Sequence, residues 1–162
     1  LRKRLEGKEK EKQQRWVVAL SGVMFIASFV VAGFNFRFAW ATLPDWVTWI
    51  GVAIFLLSYV LYAEVMRENA YLSRTIEIQQ GQRVIDTGLY SIVRHPMYSA
   101  TILMFLSIPL ILSSIISFVI MLVYIPIIAI RIKNEERILE DGLRGYKEYK
   151  QRVKYKIIPF VW

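Results

Sequence analysis

The 162-residue sequence contains no cysteine and a single histidine. The lack of cysteine excludes disulfides, thiolate metal sites and a cysteine nucleophile. No G-x-G-x-x-G pattern occurs, which excludes the glycine-rich cofactor loop of soluble Rossmann-type enzymes. Charge is also missing over long distances, since residues 16–36, 46–63 and 96–130 contain no Asp, Glu, Lys, Arg or His. Such runs, with a mean hydropathy of +0.39, indicate an integral membrane protein.

The lengths of these runs predict the number of spanning helices. As helices, the first two would measure about 27–32 Å, which matches a hydrocarbon core of roughly 30 Å. The third would measure about 52 Å, which is too long for one crossing. We therefore place a turn near Ser113-Ser114. The predicted fold is an all-α polytopic membrane protein with about four transmembrane helices, at residues 16–36, 46–66, 96–112 and 115–131, of which the last two form a hairpin.

The basic residues predict the orientation of these helices. Of 21 Lys and Arg residues, Arg37 alone falls in the first loop and none falls at the Ser113-Ser114 turn. Basic residues mark the cytoplasmic side. The rule places the tail 1–15, the loop 67–95 and the segment 132–162 in the cytoplasm, and we expect a multi-pass protein of a prokaryotic cell membrane. The net charge of +8 then reflects topology and anionic membrane lipids rather than nucleic-acid binding.

The polar segments are too short to form separate domains, because chains below about 40 residues rarely fold alone. We therefore treat 1–162 as one domain. The alternation in Thr75-Ile76-Glu77-Ile78 predicts a short strand. Apolar residues at helical spacing predict a cytoplasmic amphipathic helix within 132–162. They are Ile138, Leu139, Gly142, Tyr146, Tyr149 and Val153.

Four motifs in the second half of the chain share an order and spacing with a known family. They are Gly88-Leu89-Tyr90, Val93-Arg94-His95-Pro96-Met97-Tyr98, Asn134-Glu135-Glu136-Arg137-Ile138-Leu139 and Tyr146-Lys147-Glu148-Tyr149. This region resembles the isoprenylcysteine carboxyl methyltransferase family and, more loosely, the membrane phospholipid methyltransferases. The resemblance covers residue 75 to the C-terminus. It implies a membrane-embedded methyltransferase that binds S-adenosylmethionine on the cytoplasmic side and a lipid-like substrate from the bilayer.

The resemblance also implies roles for particular residues. Arg131 falls where the family has an arginine that orients the acceptor. Gln82 departs from relatives that often have histidine or lysine there, and Ser99-Ala100 departs from a small residue followed by glycine. The implied cofactor-binding residues are Gln82, Arg83, Val84, Ile85, Tyr90, His95, Pro96, Met97, Tyr98 and Glu135.

Methyl-transfer chemistry suits these residue types independently of the resemblance. A sulfonium methyl donor favours aromatic faces and carboxylates, which Tyr90, Tyr98 and Glu135 provide. Its carboxylate end needs a donor such as His95 or Arg94. No covalent nucleophile and no metal are needed, since alignment and exclusion of water carry most of the catalysis.

Each of these signals has a structural alternative. His95 can cap a helix that begins at Pro96. Arg131 and Glu135 can be a surface ion pair at i,i+4. Tyr146 and Tyr149 continue the apolar stripe, which favours packing over ligand binding.

Three functions remain open from the sequence. The first is methyl transfer to a lipophilic acceptor, favoured as a carboxylate such as that of a prenylcysteine, because an arginine orients a carboxylate bidentately. Methylation of a phospholipid amine is the alternative acceptor chemistry, and it would need a base such as Glu64 or Glu136. The second function is that of a sterol-type reductase relative that binds NADPH, and the third is a membrane scaffold without enzymatic activity.

Overall fold

The computed structural model describes residues 2–72 and 78–162, with side chains described from Arg15 onward. These residues form helices and connecting segments without a strand. Residues 75–77, which carry most of the predicted strand, lie outside the described part. The helices are α1 (Arg2–Phe38), α2 (Asp45–Glu68), α3 (Pro96–Ile111), α4 (Ile115–Met121), α5 (Tyr124–Gly142) and α6 (Tyr146–Arg152), with a 3-10 turn at Gly88–Ser91 before α3.

Three stretches of the described chain are long and apolar enough to cross a membrane. They are Arg15–Phe38, Asp45–Glu68 and Ile115–Gly142, the last formed by α4 and α5 in succession. Helix α3 is equally apolar but has only 16 residues, which measure about 24 Å against a core of roughly 30 Å. The chain is thus a multi-pass membrane protein that is all-helical over residues 2–72 and 78–162, and the count of four crossings stays a prediction.

A tight turn joins α3 to α4 at the two serines chosen from the sequence. Ser113 has a positive φ of 52°, and the Ser114 hydroxyl accepts a hydrogen bond from the backbone N–H of Ser117, which caps α4. The Ser113 hydroxyl accepts a hydrogen bond from the backbone N–H of Leu43 at 2.9 Å. Asn35 donates to the Ser113 carbonyl at 3.1 Å from α1. Polar side chains therefore fasten the α1–α2 loop to the α3–α4 turn.

Small residues allow the helices to approach closely, as is usual in membrane bundles. The hydroxyl of Ser117 on α4 donates to the Ser28 carbonyl on α1 at 2.5 Å. Gly51 on α2 faces α3, where an added Cβ would lie 3.0 Å from Cβ of Leu110. Hydrogen bonds and contact with small residues thus hold α1 to α4 and α2 to α3.

The C-terminal segment differs from the single amphipathic helix predicted within 132–162. Helix α5 continues without a break from the apolar region to Gly142, and α6 is a separate helix of seven residues. The break has a local cause, because Gly145 takes a left-handed φ of 86° that a side-chain-bearing residue rarely adopts. The apolar stripe survives the break, since Leu143, Tyr146, Tyr149 and Val153 pack as one buried cluster.

Candidate functional site

A cavity of about 560 Å³ opens between α1, α3, α5 and α6. One face of α5 lines it over about 22 Å of helix, through Tyr124, Ile127, Ile128, Arg131, Glu135, Ile138 and Leu139. This stripe is apolar before Arg131 and bears charge at Arg131 and Glu135. The cavity therefore has two parts, which we call the apolar arm and the polar chamber.

The apolar arm runs into the helix bundle and ends at three aromatic rings. On α1, α3 and α5, respectively, the lining residues farthest from the polar chamber are Phe25, Phe105 and Tyr124. Phe105 contacts Phe25 with ring centroids 4.7 Å apart and Tyr124 at 4.9 Å, both edge-on. These rings close the arm. It is about 10 Å deep, measured along α3 from Tyr98 to Phe105, which is seven positions further on.

The polar chamber lies beside the C-terminal segment and the residues that precede α3. Its lining combines aromatic rings, amides and charged groups from four parts of the chain. These residues are Asn69, Tyr71, Gln82, Arg83, Val84, Ile85, Tyr90, Arg94, His95, Arg131, Glu135, Tyr146 and Tyr149.

Tyr98 joins the two parts of the cavity through a chain of hydrogen bonds. Arg131 Nε donates to the Tyr98 hydroxyl oxygen at 2.8 Å, and the Tyr98 hydroxyl donates to Glu135 Oε2 at 2.6 Å. The other carboxylate oxygen of Glu135 lies 3.9 Å from His95 Nδ1. Since Arg131 and Glu135 are one turn apart on α5, the phenol fixes both on the cavity side of the helix.

Glu136 faces away from the cavity and organises the wall behind it. Its Oε1 accepts a hydrogen bond from Arg94 Nε at 2.7 Å and lies 3.2 Å from His95 Nε2. Its Oε2 lies 3.4 Å from Lys150 Nζ on α6. The Arg94 and Glu136 side chains are only 4% and 6% exposed, so this ion pair is buried.

The same motif holds the C-terminal segment in place. Arg94 Nη1 donates to the carbonyls of Val153 at 2.6 Å and Lys154 at 2.8 Å. The backbone N–H groups of Arg94 and His95 donate to the carbonyls of Tyr155 and Lys156 at 2.9 and 2.8 Å. Residues 153–156 thus pair with the start of α3, and the pairing brings α6 against the polar chamber.

Two side chains at the C-terminal end of α2 hold the segment before α3. Glu68 accepts a hydrogen bond from the backbone N–H of Leu89 at 3.0 Å. Glycine suits position 88 because its φ is 51°, in the left-handed region that side-chain-bearing residues rarely adopt, and the Glu68 carboxylate occupies the space beside it. Asn69 donates to the Tyr90 hydroxyl oxygen at 2.9 Å. Burial raises the pKa of Tyr90 to about 12, so its phenol stays neutral.

Tyr146 and Tyr149 both line the polar chamber from α6, but their hydroxyls differ. The Tyr149 hydroxyl donates to the Tyr90 carbonyl at 2.7 Å. The Tyr146 hydroxyl is buried without a hydrogen-bond partner among the described residues. Burial raises the pKa of Tyr146, and the Glu136 carboxylate adds to this rise. The phenol therefore stays protonated and is able to donate.

Most residues singled out from the sequence meet at this cavity. Of the ten predicted cofactor-binding residues, nine line it, as does Arg131. Pro96 does not, because it is the first residue of α3 and is buried there. His95 makes no side-chain cap to α3 and points to the two glutamates instead.

Other residues were missed or assigned differently by sequence reasoning. Asn69 and Tyr71 were not anticipated, and Tyr146 and Tyr149 were assigned to packing although they also line the cavity. For Tyr146 and Tyr149, the sequence signal was the spacing of two aromatic residues on one face of α6, and Asn69 and Tyr71 carried none. Glu64 and Glu136, named as bases for an amine acceptor, are absent from the lining. Within the described residues, no cluster of three or more His, Asp or Glu side chains suits a metal ion.

Comparison with known proteins identifies the family. The family model described as phospholipid methyltransferase matches residues 46–144, well over half of the chain. The chain belongs to the phospholipid methyltransferase family. The matched residues cover nearly all of α2, the segment that precedes α3, and helices α3, α4 and α5.

A solved structure has the same fold as this chain. It is the eukaryotic intramembrane Ras methyltransferase ICMT (isoprenylcysteine carboxyl methyltransferase), matched with a TM-score of 0.72 and 22% sequence identity over 87% of this chain and 52% of that chain. At this identity the likeness shows the fold alone.

A curated relative from another class shares part of the sequence. The chain is 32% identical over 91 residues to the mouse (Mus musculus) delta(14)-sterol reductase TM7SF2, which corresponds to 54% of this chain and 22% of the reductase. The chain thus spans about a fifth of the reductase and about half of the solved methyltransferase.

Proposed function

We propose that the protein transfers a methyl group from S-adenosylmethionine to a carboxylate on a lipophilic, membrane-partitioned molecule, such as the carboxyl group of a prenylcysteine. The observation that carries this proposal is the position of Arg131. It lines the cavity where the apolar arm meets the polar chamber, and its Nε is held by Tyr98. A carboxylate head with an apolar tail matches that junction.

The polar chamber suits the cofactor by its chemistry. Small-molecule sites are typically cavities of roughly 300–1,000 Å³, and this cavity measures about 560 Å³. Tyr90 and Tyr98 offer aromatic faces to a cation, and Glu135 offers a carboxylate. Tyr146 offers a buried hydroxyl donor that has no partner among the residues described. Bound there, S-adenosylmethionine would supply an electrophilic methyl group on a sulfonium centre. The residues that would hold it are Gln82, Arg83, Val84, Ile85, Tyr90, His95, Met97, Tyr98 and Glu135.

Arg131 would hold and orient the acceptor. A guanidinium binds a carboxylate through two parallel hydrogen bonds, which fixes the direction in which each oxygen points. Arg131 is one helical turn, or about 6 Å, from Glu135 along α5. An acceptor oxygen oriented by Arg131 would therefore lie beside the chamber proposed for the donor, as a displacement reaction requires.

The lining of the cavity favours a carboxylate over an amine acceptor. A protonated amine must lose a proton before it attacks, whereas an ionised carboxylate needs no base. Glu135 is the only carboxylate among the described lining residues, and it already accepts the Tyr98 hydrogen bond.

The apolar arm would take the tail of the acceptor, and the C-terminal segment would limit the entry of water. Val17, Phe25, Phe105 and Ile128 offer only apolar surface to a tail. Helix α6, held by the Arg94 bonds to residues 153 and 154, covers the polar chamber. The distribution of basic residues supports a cytoplasmic position for the polar chamber and for both termini. The basic residues there would face the anionic lipids of the cytoplasmic leaflet.

A methyl-transfer assay with chemical analysis of the product tests the proposal. The purified protein in lipid nanodiscs receives methyl-labelled S-adenosylmethionine and either a prenylated cysteine or phosphatidylethanolamine. We expect label in the prenylcysteine product that is released as methanol by mild alkali, because methyl esters hydrolyse and N-methyl groups do not. Calorimetric binding of NADPH, with no binding of S-adenosylmethionine, would contradict the proposal in favour of a reductase.

Phospholipid N-methylation is the second candidate, and the family match favours it. Its signature in the same assay is alkali-stable label in phosphatidylethanolamine. That result would replace the carboxylate acceptor while leaving the cofactor site unchanged.

A further inference from the structure

The Tyr146 hydroxyl is a buried polar group for which the described residues provide no hydrogen-bond partner. The residue is only 4% exposed. Buried polar groups are nearly always paired, so an exception indicates a role outside the protein's own packing. The residue lines the polar chamber, which gives the hydroxyl access to a ligand.

Tyr149 provides an internal comparison. It lies one turn further along α6, is 2% exposed and packs in the same cluster with its ring centroid 5.7 Å from that of Tyr146. Its hydroxyl is used by the chain, since it donates to the Tyr90 carbonyl. Packing alone would be served by phenylalanine at either position. Among the described residues, the Tyr149 oxygen has a partner and the Tyr146 oxygen has none.

The surroundings of the Tyr146 hydroxyl indicate the ligand group that it would bind. The phenol is protonated and therefore acts as a donor, which calls for an acceptor on the ligand. The Glu136 carboxylate acts on the phenol, and the positive charge of Arg94 opposes it. Arg94 lines the chamber, whereas Glu136, which it pairs with, does not. Arg94 uses Nε and Nη1 for Glu136 and the two carbonyls, which leaves Nη2 without a hydrogen bond among the described residues. Two unused donors, one of them charged, suit a carboxylate.

We infer that Tyr146 is a ligand-binding residue whose hydroxyl donates a hydrogen bond to the carboxylate at the amino-acid end of the methyl donor. The inference rests on the proposed use of S-adenosylmethionine. It assigns α6 a direct part in binding, in addition to covering the chamber, and it separates Tyr146 from Tyr149, which holds the segment before α3.

Two nucleosides, one that carries the carboxylate and one that lacks it, test the inference. S-adenosylhomocysteine has the amino-acid end, whereas 5′-methylthioadenosine lacks it and keeps the nucleoside and sulfur. For Tyr146→Phe we expect the Kd of S-adenosylhomocysteine to rise about tenfold and that of 5′-methylthioadenosine to change by less than about twofold, because a hydrogen bond to a charged group is lost in the first case only. Calorimetry on the full chain in nanodiscs provides the first Kd, and displacement of labelled S-adenosylhomocysteine provides the second.

Thermal unfolding without ligand supplies the control. Tyr146→Phe should melt at or above the wild-type temperature, because it removes an unpaired buried hydroxyl, whereas Tyr149→Phe should melt lower because it strands the Tyr90 carbonyl. Unchanged affinity of Tyr146→Phe for S-adenosylhomocysteine, or equal losses for both nucleosides, would overturn the inference. Failure of the wild-type protein to bind S-adenosylhomocysteine would instead count against the proposed function.

Discussion

Replacing Glu136 with alanine withdraws the carboxylate that contacts Arg94, His95 and Lys150. The Arg94 guanidinium is 4% exposed, so the substitution leaves a buried positive charge without its partner. Removing one member of a buried ion pair costs about 3–5 kcal/mol. Arg94 keeps its two carbonyl acceptors, and Lys150 keeps its hydrogen bond to Glu140. We therefore expect a loss near the lower end of that range, about 3 kcal/mol.

The adjacent residue makes a matched control. Glu135 is 28% exposed in its side chain and, within the described part of the chain, accepts a hydrogen bond from Tyr98. Glu135→Ala should therefore cost only about 1 kcal/mol in stability, because the Tyr98 oxygen still accepts from Arg131. Since Glu135 lines the polar chamber, the same substitution should weaken binding of S-adenosylmethionine by roughly tenfold or more.

Thermal unfolding in detergent and calorimetric titration separate the two glutamates. A change of 1 kcal/mol shifts the melting temperature of a protein of this size by about 2–4 °C. Glu136→Ala should thus melt about 6–12 °C below the wild type and Glu135→Ala about 2–4 °C below it. A smaller loss for Glu136→Ala than for Glu135→Ala, or unaltered cofactor affinity in Glu135→Ala, would refute this division of roles.

Three further predictions concern the acceptor, the apolar arm and the topology. Arg131→Lys should lower turnover of a carboxylate acceptor about 10- to 100-fold, because the planar fork is lost, while calorimetry should show an unchanged Kd for S-adenosylmethionine; loss of that binding would assign Arg131 to the cofactor instead. Phe105→Leu should lower the KM for acceptors with longer apolar tails and leave the KM for short-tailed acceptors unaltered, because the smaller side chain opens the aromatic end of the arm. A uniform rise in KM for all acceptors would argue against a tail in this arm. In right-side-out vesicles, Trp40→Cys should react with an impermeant thiol reagent, and Gln80→Cys and Lys147→Cys should not; the opposite pattern would reverse the proposed orientation.

The membrane-spanning character of the chain was predictable because it depends on local properties. A charge-free run of sufficient length is apolar whatever surrounds it, and Ser113-Ser114 is the polar break in a run that is too long for one helix. The candidate site was also largely foreseeable, since His95 and Glu135 lie where charged motifs meet apolar runs and the family motifs share their order. The division of the C-terminal helix depended on one residue, Gly145, whose left-handed conformation was not evident from the apolar spacing.

Other features were decided only by the tertiary structure. Glu135 and Glu136 are adjacent and identical in type, yet helix α5 directs one into the cavity and the other toward Arg94, since neighbouring positions on a helix face different directions. Tyr146 and Tyr149 carry the same pattern in sequence. The position of the Tyr90 carbonyl gives the Tyr149 hydroxyl a partner, while the Tyr146 hydroxyl has none among the residues that the structure describes. Sequence alone determined that this protein lies in a membrane and which motifs border the apolar runs. The tertiary packing determined which side chain of each motif faces the cavity, because hydrogen bonds between residues 40 to 60 positions apart are set by how the helices meet and not by local composition.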